Sequence, residues 1–517
     1  MEIKYDENHE LVGTVSKQLQ ENIDLIETLF SDSGDLVRKR FVLERAEGTL
    51  AMYLVYIDGL TNNDMVERTI LRPLLYEWRE TKENPKGNTT IPLKEDIWEE
   101  IFDRQMESVD IIQQEGLMDV VGAVLKGDTA IFMDGNGKAC ILSTKRFPSR
   151  SMMPPQKEAG LKGPKDCFIE SLRNNTALMR RRIRDPKMKV KQIVVGQRSR
   201  TDCALVYHED FVEKRLLKSV MEKLNAFAID GIQDSGMLLH LLEEKWYSPF
   251  PQLQTTERPD KAASAVLEGR IVLVVDNSPE VIILPSTWNS FFQAADDYYN
   301  RFAVGSFARA LRYFAAYITV LLPGLYVAIT CYYPQVLPTQ FLLAIVGART
   351  DITFPIVVEV LIMELLFELL REAGIRLPGP LGNTIGVVGG LIVGQAAVEA
   401  SLVSTIVVIV VALTAIASFV IPNEEFSSTF RLLKFLMIGL GAIGGLYGIM
   451  LGIMALRVHL ASLESFGIPY MMPLVSGSID DDIEYQDYVM RKPIFAMKYR
   501  PIYTREGNRR RFRRKNQ

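Results

Sequence analysis

Between residues 302 and 456 the chain is dominated by Leu, Ile, Val, Ala and Gly, whereas residues 1–300 are rich in Lys, Arg, Asp and Glu. A bilayer crossing needs about 20 consecutive apolar residues. Tyr313–Tyr333 meets that length, with aromatic residues at its end and Pro323-Gly324 in its middle as a kink site. Arg301, Arg309 and Arg312 precede it, which places its start in the cytoplasm by the distribution of positive charge. Phe354–Leu370 is a second run, followed by Arg371 and Arg376. Phe430–Leu456 is the last, followed by Arg457, His459 and a tail ending RRRFRRK. Between them Thr384–Ile421 is interrupted at Glu399-Ala400-Ser401 and closed by Pro422. The expectation is about four crossings plus a short intramembrane helix at about 383–399, with both termini cytoplasmic.

Averaged over the chain this division disappears. Of 517 residues, 48% are hydrophobic and 24% charged, with a net charge of −4. That balance argues against a general nucleic-acid binder, whose domain would be strongly basic. Cys140, Cys167, Cys203 and Cys331 are far apart with no CxxC spacing, which disfavours a disulfide framework or zinc knuckle. The chain begins MEIKYDENHELVG, without the apolar core of a signal peptide. The first 300 residues are therefore expected to stay in the cytoplasm.

Charge at membrane depth is expensive and faces protein or water. At roughly 100° per residue, Glu364 and Glu368 share a helix face and Glu359 points nearly opposite, making them secondary candidates for a pore wall. Thr384, Val388, Leu391, Gln395 and Glu399 form one stripe. The flanking Gly386, Gly389, Gly390, Gly394, Ala396 and Ala397 would let copies of this helix approach closely. Two readings stay open: a pore lined by that stripe, or a helix packed inside one subunit with its polar groups paired to neighbours. Gly439-x-Gly441-x-x-Gly444 matches a dinucleotide fingerprint by letters only, lacking the preceding strand. Gly444, Gly448 and Gly452 read instead as a helix-packing groove. Gly135-x-Gly137-Lys138 is no P-loop, because Phe132 stands where its first glycine belongs.

The soluble half contains an internal repeat. Ala123-Val-Leu-Lys-Gly-Asp-Thr-Ala-Ile-Phe-Met-Asp134 resembles Ala265-Val-Leu-Glu-Gly-Arg-Ile-Val-Leu-Val-Val-Asp276, each leading through a turn into a second apolar run. Tyr53-Leu-Val-Tyr-Ile-Asp58 and Ala204-Leu-Val-Tyr-His-Glu209 each read as a strand before a charged helix. The fold class expected is an α+β membrane protein: two similar α/β subdomains, then a helical transmembrane domain. The divisions are 1–148, a Pro/Gly-rich loop and basic connector helix at 149–185, a second subdomain at 186–300, the transmembrane domain at 301–475 and a basic tail at 476–517. The connector carries Arg173, Arg180, Arg181, Arg182 and Arg184, expected to face solvent or lipid headgroups, or otherwise an acidic partner or neighbouring subunit. No catalytic constellation emerges: His9, His208, His240 and His459 are isolated, and no metal-ligand spacing or cofactor motif is present. Asp230-Gly-Ile-Gln-Asp-Ser-Gly lacks the distal Glu of an EF-hand and reads as a capped turn.

Four blocks taken together resemble a known family: GPKDCFIESLRNNTALMRRRIRDPKMKV (163–190), SFARALRYFAAYITVLLPGLYVA (306–328), FPIVVEVLIMELLFELLREAGIRLP (354–378) and IVGQAAVEASLVSTIVVIVVALTAIASFVIP (392–422). In this order they resemble the A subunit of GerA-type spore germination receptors, and also its relative, the stage V sporulation AF protein. The resemblance implies an oligomer in the inner membrane of a bacterial endospore. Its implied partners are a transporter-like B subunit that senses a nutrient and a lipoprotein C subunit, and its implied activity is a ligand-gated cation channel. The basic tail at 498–517 departs from the family. A secondary transporter and a non-conducting scaffold are the competing readings.

Overall fold

The computed structural model describes residues 4–5, 11–45, 48–72, 74, 111–146, 158, 160, 162–376, 390, 392–475, 487–505 and 507–512. The first α/β unit comprises α1 (Leu19–Leu29), β1 (Leu36–Arg45), β2 (Gly48–Ile57), β3 (Ile111–Gln114), α2 (Leu117–Leu125), β4 (Thr129–Met133) and β5 (Ala139–Leu142). Next come α3 (Leu172–Arg182), β6 (Met188–Val195), β7 (Thr201–His208), α4 (Lys214–Ala226), α5 (Ser235–Leu242), β8 (Gln254–Thr256), α6 (Pro259–Leu267), β9 (Ile271–Val275) and β10 (Val281–Leu284). The two five-stranded antiparallel sheets run β1-β2-β4-β5-β3 and β6-β7-β9-β10-β8. Each strand of the first has its counterpart five places later. The continuous apolar runs of β9 and β10 are buried throughout. Ile271, Leu273, Val275, Ile282 and Leu284 join the core on one face, and Val272, Val274, Val281 and Ile283 join the other, as the two-residue strand period requires.

The repeat extends to single hydrogen bonds. Helices α2 and α6 end in the same cap, with Gly127 at φ +95° and Gly269 at φ +86°. The amides of Asp128 and Arg270 reach back to the carbonyls of Ala123 and Ala265, the six-residue closure that a left-handed glycine permits. Asp134 Oδ1 accepts from the Leu19 amide at 3.1 Å and Asp276 Oδ1 from the Leu172 amide at 3.0 Å. Asn22 holds both the amide and the carbonyl of Ser16, as Asn175 holds those of Ile169. Helix α3 is thus the counterpart of α1, and its Leu172, Leu178 and Met179 enter the second unit's core.

This placement corrects the expectation for Arg180, which is fully buried and cannot meet lipid or another subunit. Its guanidinium donates to both carboxylate oxygens of Asp35 at 2.7 and 2.9 Å and to the Met188 carbonyl at 2.7 Å. Of its basic neighbours, Arg173 pairs with Asp58 and Arg182 with Asp166, while Arg181 and Arg184 are exposed.

The helical part begins with α7 (Phe302–Tyr332), which continues through Pro323, followed by α8 (Thr339–Gly347), α9 (Ile356–Arg376) and α10 (Thr405–Phe419). Helices Phe302–Tyr332 and Glu424–Ala461 are long and apolar enough to cross a membrane. The second is not one rod. It breaks at Gly445 (φ 57°, ψ −139°), and the chain reverses there. A Cβ at Gly448 would overlap the Leu440 carbonyl, and one at Gly452 would lie 2.7 Å from Leu440 Cδ1 and 2.8 Å from Met437 Sδ. Phe250 stacks near Phe426 (6.3 Å) and near His459 (6.2 Å), joining the two ends of the run at one place. The single crossing expected at Phe430–Leu456 is therefore a hairpin with legs 424–444 and 446–461. The glycine groove is corrected too. Gly448 and Gly452 face the opposite leg of their own hairpin, Gly444 faces open space, and Gly324 opposes Gly441.

After the hairpin, residues 498–511 of the basic tail return to the second sheet unit. Tyr503 hydroxyl shares a 2.8 Å hydrogen bond with Thr287, Arg500 lies 3.9 Å from the Phe211 ring centroid, and Arg505 amide donates to the Phe211 carbonyl.

Candidate functional site

Helix α9 carries three glutamates because its apolar positions leave two faces open to polar partners. Glu359 is buried. Its Oε1 lies 2.9 Å from Arg349 Nη2, and its Oε2 accepts from the Ser404 amide at 3.1 Å, which fixes the start of α10. On the other face Lys434, from the first hairpin leg, lies 2.6 Å from Glu364 and donates to Glu368 at 2.9 Å. Glu364 and Lys434 are 1% and 2% exposed, so this pair is enclosed within one chain. The split faces of the three glutamates match the helical phase read from sequence. All three are held by intrachain partners, and none offers a free charge to a pore wall.

The helical segment at 392–399, between α9 and α10, differs. Gln395 and Glu399 are both exposed, and Gln395 Nε2 donates to Glu399 Oε1 at 2.9 Å. They lie one turn apart, as the stripe requires. Thr384, Val388 and Leu391 lie outside the described residues.

A second polar centre joins the sheets to α7. Asp297, in the short helix Ala295–Tyr299, is almost fully buried. Arg312 clamps its carboxylate with two bonds of 2.7 and 2.8 Å, and Arg309 Nε donates at 3.2 Å. Arg309 Nη1 donates to Asp487 Oδ1 at 2.6 Å, and Tyr298 hydroxyl donates to Asp487 Oδ2 at 2.5 Å. Burial, reinforced by the Asp487 carboxylate, raises the Tyr298 phenol well above its ordinary value, so it stays a donor. Arg491 donates to the Asp297 carbonyl, and Ser306 Oγ bonds both the carbonyl (3.2 Å) and the amide (3.1 Å) of Arg491. This network ties the second sheet unit, α7 and the returning chain at 487–491 together through charge-assisted bonds. Arg309 and Arg312, read from sequence only as topology markers, are its centre.

Sequence reasoning missed the partners. Arg349, Lys434, Asp297 and Asp487 lie outside the helices that carry the groups they neutralise, and helical phase alone cannot pair them. For Lys434 a signal existed, since one lysine inside an apolar run demands a carboxylate.

The family model of the Bacillus/Clostridium GerA spore germination protein matches residues 24–503. The uncharacterized membrane protein YfkQ of Bacillus subtilis (strain 168) is 35% identical over 494 residues, covering 96% of this chain and 93% of that protein. Spore germination protein A1 of the same organism is 37% identical over 476 residues, covering 92% and 94%; spore germination protein KA is 36% identical over 496 residues, covering 94% and 87%. Among solved structures, the crystal structure of the N-terminal domain of the A subunit of the Bacillus megaterium spore germinant receptor GerK3 is similar at 24% identity. Its TM-score is 0.40, covering 53% of this chain and 96% of that one. A match running from the first sheet unit through the helices to the returning tail makes this chain a member of the GerA spore germination protein family.

Proposed function

We propose that this chain is the A subunit of a spore germination receptor and forms the pore of an oligomeric, nutrient-gated cation channel that triggers germination. It acts in the spore inner membrane with a transporter-like B subunit and a lipoprotein C subunit. Membership of the family and the names of its relatives support the receptor role. The observation that carries the channel reading is the contrast among carboxylates in the helical part. Glu359, Glu364 and Glu368 are ion-paired inside the chain, whereas Glu399 and Gln395 are exposed. An outward carboxylate among membrane helices requires water or another subunit. A ring of copies supplies both, with Glu399 at one mouth favouring cations and Val388 and Leu391 as the apolar constriction. Both flanks of the helical part then lie on the sheet side, cytoplasmic in orientation, as the reversal at Gly445 and the return of the tail favour.

The test is cation flux through the reconstituted receptor. Val388→Ala should widen the constriction and conduct without nutrient, while Glu364→Gln should lower the yield of folded protein and leave the conductance of what survives unchanged. A Val388→Ala protein that conducts like the parent, beside a Glu364→Gln protein that assembles but carries no cations, would move the pore to α9.

A further inference from the structure

We propose that the loop at residues 245–250 is an interfacial anchor, with Trp246 and Tyr247 seated in the phospholipid headgroup layer. The proposal rests on the reading that the helical part crosses a bilayer. Trp246 is 86% exposed and Tyr247 60% exposed, packed edge to face at 6.1 Å. Such exposure for a tryptophan is uncommon on a surface bathed in water alone.

The loop is nevertheless rigidly held. Lys245 Nζ donates to the carbonyl of Ser462, at the end of the second hairpin leg, and lies 3.2 Å from its hydroxyl. Ser248 Oγ shares a 2.9 Å hydrogen bond with His459 Nε2, and Thr429 Oγ1 donates to the Pro249 carbonyl. Phe250 is buried against Phe426 and Phe430. Lys245, Ser248 and Phe250 are engaged with the helices, while Trp246 and Tyr247 lie exposed between them.

Their level matches a bilayer boundary. The apolar part of the second leg ends at Leu456, before Arg457. His459, which Ser248 holds, lies three residues further, or about 4.5 Å at 1.5 Å per residue. The headgroup zone adds roughly 5–8 Å to each side of the hydrocarbon. Trp and Tyr prefer that zone, because the ring is apolar while the N–H or O–H stays hydrated. The anchor would fix the tilt of the second sheet unit against the membrane.

The test uses the full chain in phosphatidylcholine–phosphatidylglycerol vesicles carrying bromine either near the glycerol end or near the tip of the acyl chain. The emission lost in Trp246→Phe reports on this residue alone, and Leu451→Trp, on the exposed face of the second leg, reports on the helices. The expected result is that shallow bromine quenches the Trp246 component more than deep bromine does, with the order reversed for Leu451→Trp. If Leu451→Trp is quenched and the Trp246 component is not, the anchor falls and the membrane reading stands. If neither is quenched, both fall. If Trp246 is shielded from aqueous iodide only when a partner subunit is added, its occupant is protein and the proposal is overturned.

Discussion

The two sheet units share one strand order and matching caps, yet they are attached to the rest of the molecule in different ways. The first unit leans on its neighbour through polar contacts: Arg180 with Asp35, Lys189 Nζ donating to the Leu29 carbonyl at 2.8 Å, and the Gly34 amide on the Val190 carbonyl. The second is bolted to the helices by the Phe250, Trp288, Phe291 and Phe292 rings around Phe426, by the Arg309–Asp297–Asp487 network, and by the tail. Duplication supplied one fold twice, and the surface residues gave it two uses, a mount for the helices and a body carried upon that mount.

The comparison can be broken at its attachments. Arg309→Ala removes one donor from buried Asp297 and the charge partner of part-exposed Asp487, and should cost the second unit and its helices about 5 kcal/mol. Trp288 fluorescence during thermal unfolding in detergent should report that loss. Arg180→Ala strands Asp35 alone and should cost about 3 kcal/mol, read as faster protease cleavage between the units while the Trp288 transition stays in place. Equal losses of the Trp288 transition in both variants would erase the distinction between mount and body.

The shared caps sharpen the comparison further. Adding a methyl at Gly127 forces a side chain into the left-handed region and should cost about 2 kcal/mol, with the new Cβ 2.8 Å from the Leu60 carbonyl. Gly269→Ala meets the equivalent Phe211 carbonyl at 2.8 Å, and also Thr504 Cα at 2.8 Å from the tail. It should be the more damaging of the two by urea denaturation, because the tail must lift away. Equal costs would mean that the tail is not seated on the second unit.

The smallest effect concerns acid. Burial alone would raise the Asp185 carboxyl, but bonds from the His208 ring and the Lys187 amide hold it below its ordinary value. A carboxyl depressed in the folded state adds stability above its unfolded value, near 3.9, and loses it as pH falls through the folded value. Asp185→Asn should therefore lower stability slightly at neutral pH and flatten the fall in stability below about pH 4. A variant whose acid profile overlays the parent's would remove that contribution.

What could be read from sequence follows how local the physics is. The repeat was legible because a Schellman cap, an aspartate acceptor and an apolar hairpin are short-range devices that leave the same letters twice. The membership of α3 in the second unit was hidden, since a run of arginines looks like surface until Asp35, 145 residues away, buries one of them. The hairpin at Gly445 was hidden for the opposite reason. Leu440-Gly-Ala-Ile-Gly-Gly-Leu446 is apolar throughout, and nothing polar marks the reversal. The glutamates of α9 were placed on the correct faces by helical phase, but their neutralisation by Arg349 and Lys434 depended on packing. Trp78 and Trp98 lie outside the described residues.

In the proposed channel the stripe that ends at the exposed Glu399, and not the paired glutamates of α9, lines the path of the ion. The most direct measurement is the reversal potential of the reconstituted channel under a salt gradient, compared between the parent and Glu399→Lys. Reversing that charge at a pore mouth should move the potential from the cation side toward the anion side while the protein remains assembled. An assembled Glu399→Lys channel with the parent's reversal potential would contradict the account.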